Sequence, residues 1–281
     1  MGMNWEEIVN AIQEEIGKIR KKYVINNDII RDDVFGILEK YCTVLYYPFE
    51  GEKNCGFHIK KVVKEQLEEF VYINSAKTLE EQVFTAAHEL GHIWNVAQHV
   101  WKETSQQGEL SLKDEEDITN RFAAELLMPA DKFKETFREH VGNEKIDLKN
   151  VTLGDLAKLI ALQMNDYLVP YDAVRKRLHE TNIITDDGKQ FLKNKNIRTN
   201  IIAAVDKYIR EMNARLGDKK STISISGLRN LLEEAEQKNT LDEYTIDKIK
   251  EDFKIEEVVA EEQIIEIQLG ENGNEQSGSV G

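Results

Sequence analysis

The chain has 281 residues, 41% of them hydrophobic, with two cysteines and a formal charge of -15. That length can bury one good core plus an appendage; no apolar run approaches the roughly 20 residues of a membrane span, and two cysteines do not make a disulfide scaffold. The acidity is uneven, because residues 255–281 hold seven Glu and no Lys or Arg, which puts -7 there and leaves -8 for residues 1–254.

The opening Met1-Gly2-Met3-Asn4-Trp5-Glu6-Glu7 is acidic and amphipathic where a secretory signal is basic and then uniformly apolar, so a cytoplasmic protein with no membrane association is expected. Trp5, Ile8, Val9, Ile12, Ile16 and Ile19 recur at helical spacing and predict a first helix packed on the body. Val34, Ile37, Leu38 and Tyr41 predict a second helix. Thr43 to Phe49 and Gly56 to Lys60 read as strands around a turn containing Gly51, and Phe70 to Asn74 as a third strand. Cys42 and Cys55 flank the first of these and are expected to be free thiols. Tyr72 and Asn74 offer a strand to which an extended peptide could add, although an ordinary place in the sheet is the simpler account.

Thr78 and Glu81 form a T-x-x-E capping box, which predicts a helix from Leu79 to about Gln98. Val83, Phe84, Ala87, Leu90, Gly91 and Trp94 give it an apolar stripe. Beside that stripe runs His88-Glu89-Leu90-Gly91-His92, an H-E-x-x-H pattern. Histidines four apart stack on one helical face, so both rings can reach one tetrahedral Zn²⁺, while Glu89 is placed to deprotonate a water that the metal activates. The pattern fixes only three identities, so its context has to carry the argument. Gly91 weakens the helix by about 1 kcal/mol relative to Ala, and either is simply tolerated or marks a close approach. His99 follows as a candidate for substrate contact, or as a surface histidine. His58, His140 and His179 have no spacing relation to the pattern and read as structural.

A catalytic zinc needs a third protein ligand and an open position. Ser111 caps a second helix that closes at Met128-Pro129, and Ile118, Phe122 and Leu126 bury one of its stripes. Glu116 and Asn120 share a different face. Glu116 is placed to ligate, with Asn120 one turn on to orient a ligand, and Glu115 or Asp117 are the alternatives if the register differs. The run Asp114-Glu115-Glu116-Asp117 also suits an acidic first turn facing its own helix dipole.

The segments F-T-A-A-H-E-L-G-H at 84–92 and E-x-x-x-N-R-F-A-A-E-L-L-M-P at 116–129, with the strand 70–74 and Val169-Pro170-Tyr171-Asp172-Ala173-Val174-Arg175-Lys176-Arg177-Leu178, resemble the ImmA/IrrE metallopeptidases over residues 30–185. The resemblance implies zinc held by His88, His92 and Glu116 in the manner of gluzincins, with Glu89 catalytic. Asn120 stands where the gluzincin motif has Asp. Thr119 replaces a common Ala, a small polar change expected to leave ligation intact. The resemblance further implies a protein substrate, a helix-turn-helix repressor of a mobile element, prophage or stress regulon.

Beyond Pro129 the pattern is helical, with Thr152 to Met164 and Pro170 to Thr181 arranged like a helix-turn-helix pair. Residues 171–200 carry seven Lys/Arg against four Asp/Glu, a modest basic patch, so DNA binding is possible but a scaffolding role is favoured. Further helices are expected near Ile197 to Leu216 and Ser224 to Lys238. Val258 to Leu269 fits a short strand or a docking segment, and the residues after it lack apolar side chains and are expected to be disordered. The fold expected is α+β and predominantly helical: a zincin-like metallopeptidase core with a small sheet (1–140), a helix-turn-helix-like module (141–195), a helical extension (196–254) and an acidic tail (255–281). The function expected is a zinc endopeptidase acting on a regulatory protein. The alternative is a non-proteolytic regulator, stabilised by zinc, that binds a repressor or DNA.

Overall fold

The isoleucine stripe of the N-terminal segment does form one face of a helix. In the computed structural model, which describes residues 3–255 apart from 24, 26, 51–54, 64, 106–107, 213–214 and 218–220, α1 spans Trp5–Tyr23 and buries Ile8, Ile12, Ile16 and Ile19. The short α2 (Asp33–Leu38) adds Val34 and Leu38 to the same core. The expected turn at Gly51, the segment 258–269 and the acidic tail beyond Ile255 lie outside the described residues.

The sheet contains β1 (Thr43–Tyr47), β2 (Gly56–Val63), β3 (Gln66–Asn74) and β4 (Ser224–Ile225) in the order β2-β3-β1-β4. β1 runs parallel to β3, and the other pairings are antiparallel. Val44, Val71 and Ile73 are wholly buried, the inward half of the alternation that a one-sided sheet requires. β2 and β3 run on past the expected strands as a hairpin. Its outer part opposes Lys60 to Glu69 and Lys61 to Glu68, so cross-strand charge pairs hold it where hydrophobic alternation is missing. Tyr72 and Asn74 take the ordinary place in the sheet, the simpler account, and the alternative of an open edge there falls, because β3 is paired on both sides. Tyr72 donates its hydroxyl to the Tyr47 carbonyl at 2.9 Å, and the Asn74 amide braces the backbone of Phe49. Among the described residues the edge strands are β2 and the two-residue β4, and β2 is the long one.

α3 (Leu79–Ile93) begins at the expected box, where the Thr78 N–H donates to the Glu81 carboxylate at 3.0 Å. It stops short of Gln98 because Asn95 takes left-handed backbone (φ 51°), the conformation Asn tolerates at helix ends, and α4 (Val96–Glu103) starts afresh. α5 (Leu112–Leu127) is capped by Ser111, whose hydroxyl accepts the Asp114 N–H at 3.1 Å. After Pro129 come α6 (Ala130–Asn143), α7 (Leu153–Tyr167) and α8 (Tyr171–Glu180). The last two turn at Leu168, with left-handed φ, and Pro170. Then follow α9 (Asp186–Lys193) and α10 (Lys195–Glu211), which packs on α7. The helix expected from Ser224 starts later, as α11 (Leu228–Gln237), because Ser224 and Ile225 pair with β1 and the Ser226 hydroxyl accepts the Val44 N–H at 2.8 Å.

Residues 1–231 form one compact unit and 232–281 a second. In the second, Leu232 and Ile246 of α12 (Glu243–Asp252) are buried, and Lys250 pairs with Glu236 at 2.7 Å. Among the described residues no helix is long and apolar enough to cross a membrane. Cys42 and Cys55 are unbridged, and burial pushes the Cys42 thiol up to about 12 and raises Cys55 as well, so neither is an activated nucleophile.

One interaction docks α8 on α5. The Arg177 guanidinium, wholly buried, donates two parallel 2.6 Å bonds to the Glu125 carboxylate and one of 2.9 Å to the Met128 carbonyl. Arg121 binds the same carboxylate from its own helix at 2.9 Å. Burial alone would raise Glu125, but Arg177 and then Arg121 outweigh it and hold the carboxyl below its ordinary value. Such a group contributes stability above its unfolded pKa, about 4.3, and loses it as pH falls through the lower folded value. Arg177→Met is therefore expected to destabilise the fold by about 3–5 kcal/mol in urea unfolding at neutral pH. It should also flatten the loss of stability below about pH 4; a variant as stable as the parent would show that the pair does not hold the two helices.

Candidate metal centre

His88 and His92 lie one turn apart on α3 and present their Nε2 atoms 3.1 Å from each other. Glu116, in the first turns of α5, brings one carboxylate oxygen to 3.4 Å from His88 Nε2 and the other to 3.4 Å from His92 Nε2. Zinc bonds of 2.0–2.1 Å at tetrahedral angles require donor separations of about 3.3 Å; with one ligand atom taken from each residue the three donors lie within 4.8 Å of one another, close enough to hold a single ion. They are also a set of close His, Cys, Asp and Glu donors found by geometry alone among the described residues.

The distance between α3 and α5 depends on Gly91. A Cβ there would fall 2.8 Å from Thr119 Cγ2 and 3.0 Å from Phe122 Cδ1, so the helices touch where glycine leaves room. The close-approach account of Gly91 holds over the tolerated-glycine one. Thr119, the departure noted in the sequence, is the residue packed there; its Cγ2 fills the contact and its buried hydroxyl finds no partner among the described residues. Behind the contact, Trp94 meets Phe122 edge-on at 6.1 Å and stacks on Tyr23 at 5.5 Å. On the sheet side Gly56 plays a matching part. A Cβ at Gly56 would lie 2.5 Å from Thr85 Cγ2, so β2 rests directly on α3.

Glu89 is 4% exposed, and its Oε2 has no hydrogen-bond partner among the described residues. Burial, assisted by the negative charge of Glu116, pushes its carboxyl up to about 7. Burial and then the neighbouring His92 push His88 down to about 4, which keeps its ring neutral and able to ligate. A dication at the three donors would counteract the shift at Glu89 by its own charge.

Around these donors stand residues that spacing did not assign. Glu115, offered as an alternative ligand, instead lies 3.5 Å from His92 Nδ1, on the far side of the ring, and accepts a 2.8 Å bond from Gln98. A carboxylate behind a ligating histidine fixes the ring and raises its basicity. The signal was present, since Glu115 adjoins Glu116 and Gln98 follows His92, but the break between α3 and α4 decides where Gln98 points. Asn120 donates to the Glu116 backbone carbonyl at 2.8 Å, so its amide braces the helix that presents the ligand. His58 of β2 sits 3.2 Å from Glu69 and is held toward neutrality by burial, with a contribution from His92, which brings this residue, read as structural, into the electrostatic neighbourhood of the site. Asp117 turns to an adjoining cleft. His99 is on α4, 3.3 Å from Glu15; His140 pairs with Asp166 at 2.6 Å and His179 with Asp186 at 2.8 Å. If the Gly91 contact sets the ligand spacing, Gly91→Ala lowers Zn²⁺ affinity about tenfold in competition with a chromophoric chelator, and adding Thr119→Ser recovers part of the loss. Unchanged affinity in Gly91→Ala would mean that α5 is positioned elsewhere.

A family model described as Peptidase_M78, IrrE N-terminal-like domain, matches residues 39–179, half of the chain. No curated protein and no solved structure matches it. The match opens at the end of α2 and closes within α8, and so encloses β1 to β3, the three donors, Glu89 and both partners of the Arg177–Glu125 pair. The chain belongs to the Peptidase_M78, IrrE N-terminal-like family, a family of the metallopeptidase type.

Proposed function

We infer that the protein is a zinc-dependent endopeptidase that hydrolyses a cytoplasmic regulatory protein, a helix-turn-helix repressor of a mobile element, prophage or stress regulon. The observation that carries the reading is the convergence of His88, His92 and Glu116 beside a buried carboxylate, Glu89, whose Oε2 has no hydrogen-bond partner among the described residues. Buried polar atoms are nearly always paired, so an orphan next to three metal donors argues for work on a proton. The repressor rests on family resemblance alone.

When bound, zinc supplies Lewis acidity, which polarises a peptide carbonyl and acidifies water. Glu89 takes the proton of the attacking water and later delivers it to the departing amine. Its burial beside the three donors puts the carboxylate where both proton transfers would occur. Glu115 and Gln98 hold the His92 ring in one orientation. The free edge of β2 offers an extended substrate its backbone partners, and Gly56 lets that strand lie against the helix carrying Glu89. A zinc site with only a structural role has no use for Glu89 and commonly closes its fourth position with Cys or His, which favours the enzyme over a non-proteolytic regulator.

Co-expression with a candidate helix-turn-helix repressor should yield a defined repressor fragment. Glu89→Gln should retain zinc and lose about 10²–10⁴-fold in cleavage rate, the usual contribution of a general base. A Glu89→Gln protein that cuts at the parental rate would overturn the mechanism, and a parent that binds the repressor without cutting it would establish the regulator instead. Removing the metal by chelation should abolish cleavage, and stoichiometric Zn²⁺ should restore it.

A further inference from the structure

Next to the metal centre lies a cleft of about 750 Å³, between α5 on one side and α8 and α9 on the other. It begins at Asp117 and Asn120, beside and one turn beyond Glu116, and at Phe84, one turn before His88. Its far wall is cationic. Arg175 is 7% exposed, yet its only hydrogen bond among the described residues is from Nε to Asp172 at 3.2 Å. Its Nη groups have no acceptor among the described residues, and the residue lines the cavity. Lys176, Lys189 and Lys193 line the same wall, and none has an ion-pair partner among the described residues. The acids nearby are already engaged: Asp172 accepts from Arg198 at 2.6 Å, and Glu180 pairs with Arg121 at 2.9 Å. Asp117, at the metal end, is the lining carboxylate that has no such partner among the described residues.

We propose that this cleft is a specificity site of the peptidase, in which Arg175, ringed by Lys176, Lys189 and Lys193, receives an acidic side chain of the substrate close to the scissile bond. The inference rests on the peptidase reading and adds a substrate preference to it. A guanidinium with both Nη groups open matches a carboxylate by two parallel bonds, and a recessed, water-poor position makes such bonds stronger than they are on an open surface. From Glu116 to Ala124, at the far end of the α5 wall, the helix rises about 12 Å, which an extended peptide spans in about four residues. The acidic residue is therefore expected within about four positions of the cleaved bond. A nucleic acid is the less suited occupant, because a duplex backbone reaches exposed ridges, whereas Arg175 is open only to a side chain entering the cleft.

The test uses the full chain as zinc-loaded Glu89→Gln protein, so that binding is read without cleavage. A fluorescein-labelled peptide with a run of glutamates is compared by anisotropy with its glutamine isostere and with a DNA duplex. The glutamate peptide should bind at least about tenfold more tightly than the isostere, the value of one charge-assisted pair. Arg175→Gln should remove the preference. Because Arg175 is buried, the surface variant Lys176→Gln/Lys189→Gln/Lys193→Gln is the second arm; it leaves the core untouched and should weaken the glutamate peptide several-fold without affecting the isostere. Equal binding of the two peptides, no measurable binding, a preference that survives both variants, or a duplex that binds tightly and competes for the cleft would each overturn the proposal. Cleavage of a peptide library by the parent separates the two readings. Cutting with no enrichment of Asp or Glu near the cleaved bond removes this inference and keeps the peptidase, while acidic-peptide binding with no cutting removes the peptidase, and with it the specificity role, and leaves only an acidic-peptide cleft.

Discussion

The arrangement turns on how closely α5 approaches α3. Two of the candidate metal donors are on one helix and fixed by its geometry; the third comes from another helix, and its position is only as good as the packing between them. Gly91 permits that packing, Thr119 and Phe122 fill it, and Trp94 backs it with an aromatic cluster. At the other end of α5, the Arg177–Glu125 pair fastens the helix to α8. The helix carrying Glu116 is thus held at both ends, by apolar contact near Glu116 and by a buried charge pair about two and a half turns away. Buried ion pairs are poor stabilisers relative to apolar packing but specific in geometry, which suits a helix whose register must not slip.

Electrostatically the site is a small basic-and-acidic balance inside an acidic chain. Three carboxylates, Glu89, Glu115 and Glu116, converge on two histidines. The Glu89 carboxyl is raised chiefly by its burial, and the negative charge of Glu116 adds to the shift. The basic side chains of residues 171–200, which as sequence suggested a patch for DNA, are differently employed. Arg177 is consumed in the core, Arg175 is recessed, and Arg198 is bound to Asp172.

Much of the site was readable because it depends on local rules. Helical spacing brings His88 and His92 together, capping residues fix where α3 and α5 begin, and the spacing of Glu116 and Asn120 names the face that looks at the metal. The small sheet and the helical excess were readable from periodicity as well. What was missed depends on contacts between distant segments. Gln98 reaches Glu115 only because Asn95 breaks the helix, a choice between helix and left-handed turn that propensity decides weakly. His58 gains its importance from β2 lying across α3, and Ser224 joins a sheet from far along the chain. The hairpin end of β2 and β3 was hidden because opposed charges replace hydrophobic alternation there. Glu125 and Arg177 both sit in the segments that carry the family resemblance, but nothing in either segment says that they meet.

The open edge of β2 has a second consequence. An unpaired strand edge is available to the edge of another copy, and sheets that join this way grow into aggregates. On this strand the exposed outer portion carries Lys60 and Lys61, each balanced within its own hairpin by Glu69 and Glu68. Two such edges brought side by side would confront lysine with lysine, whereas a single passing peptide carries no matching row. The same residues that hold the hairpin together without a core also ration its hydrogen-bonding edge to visitors that come one chain at a time.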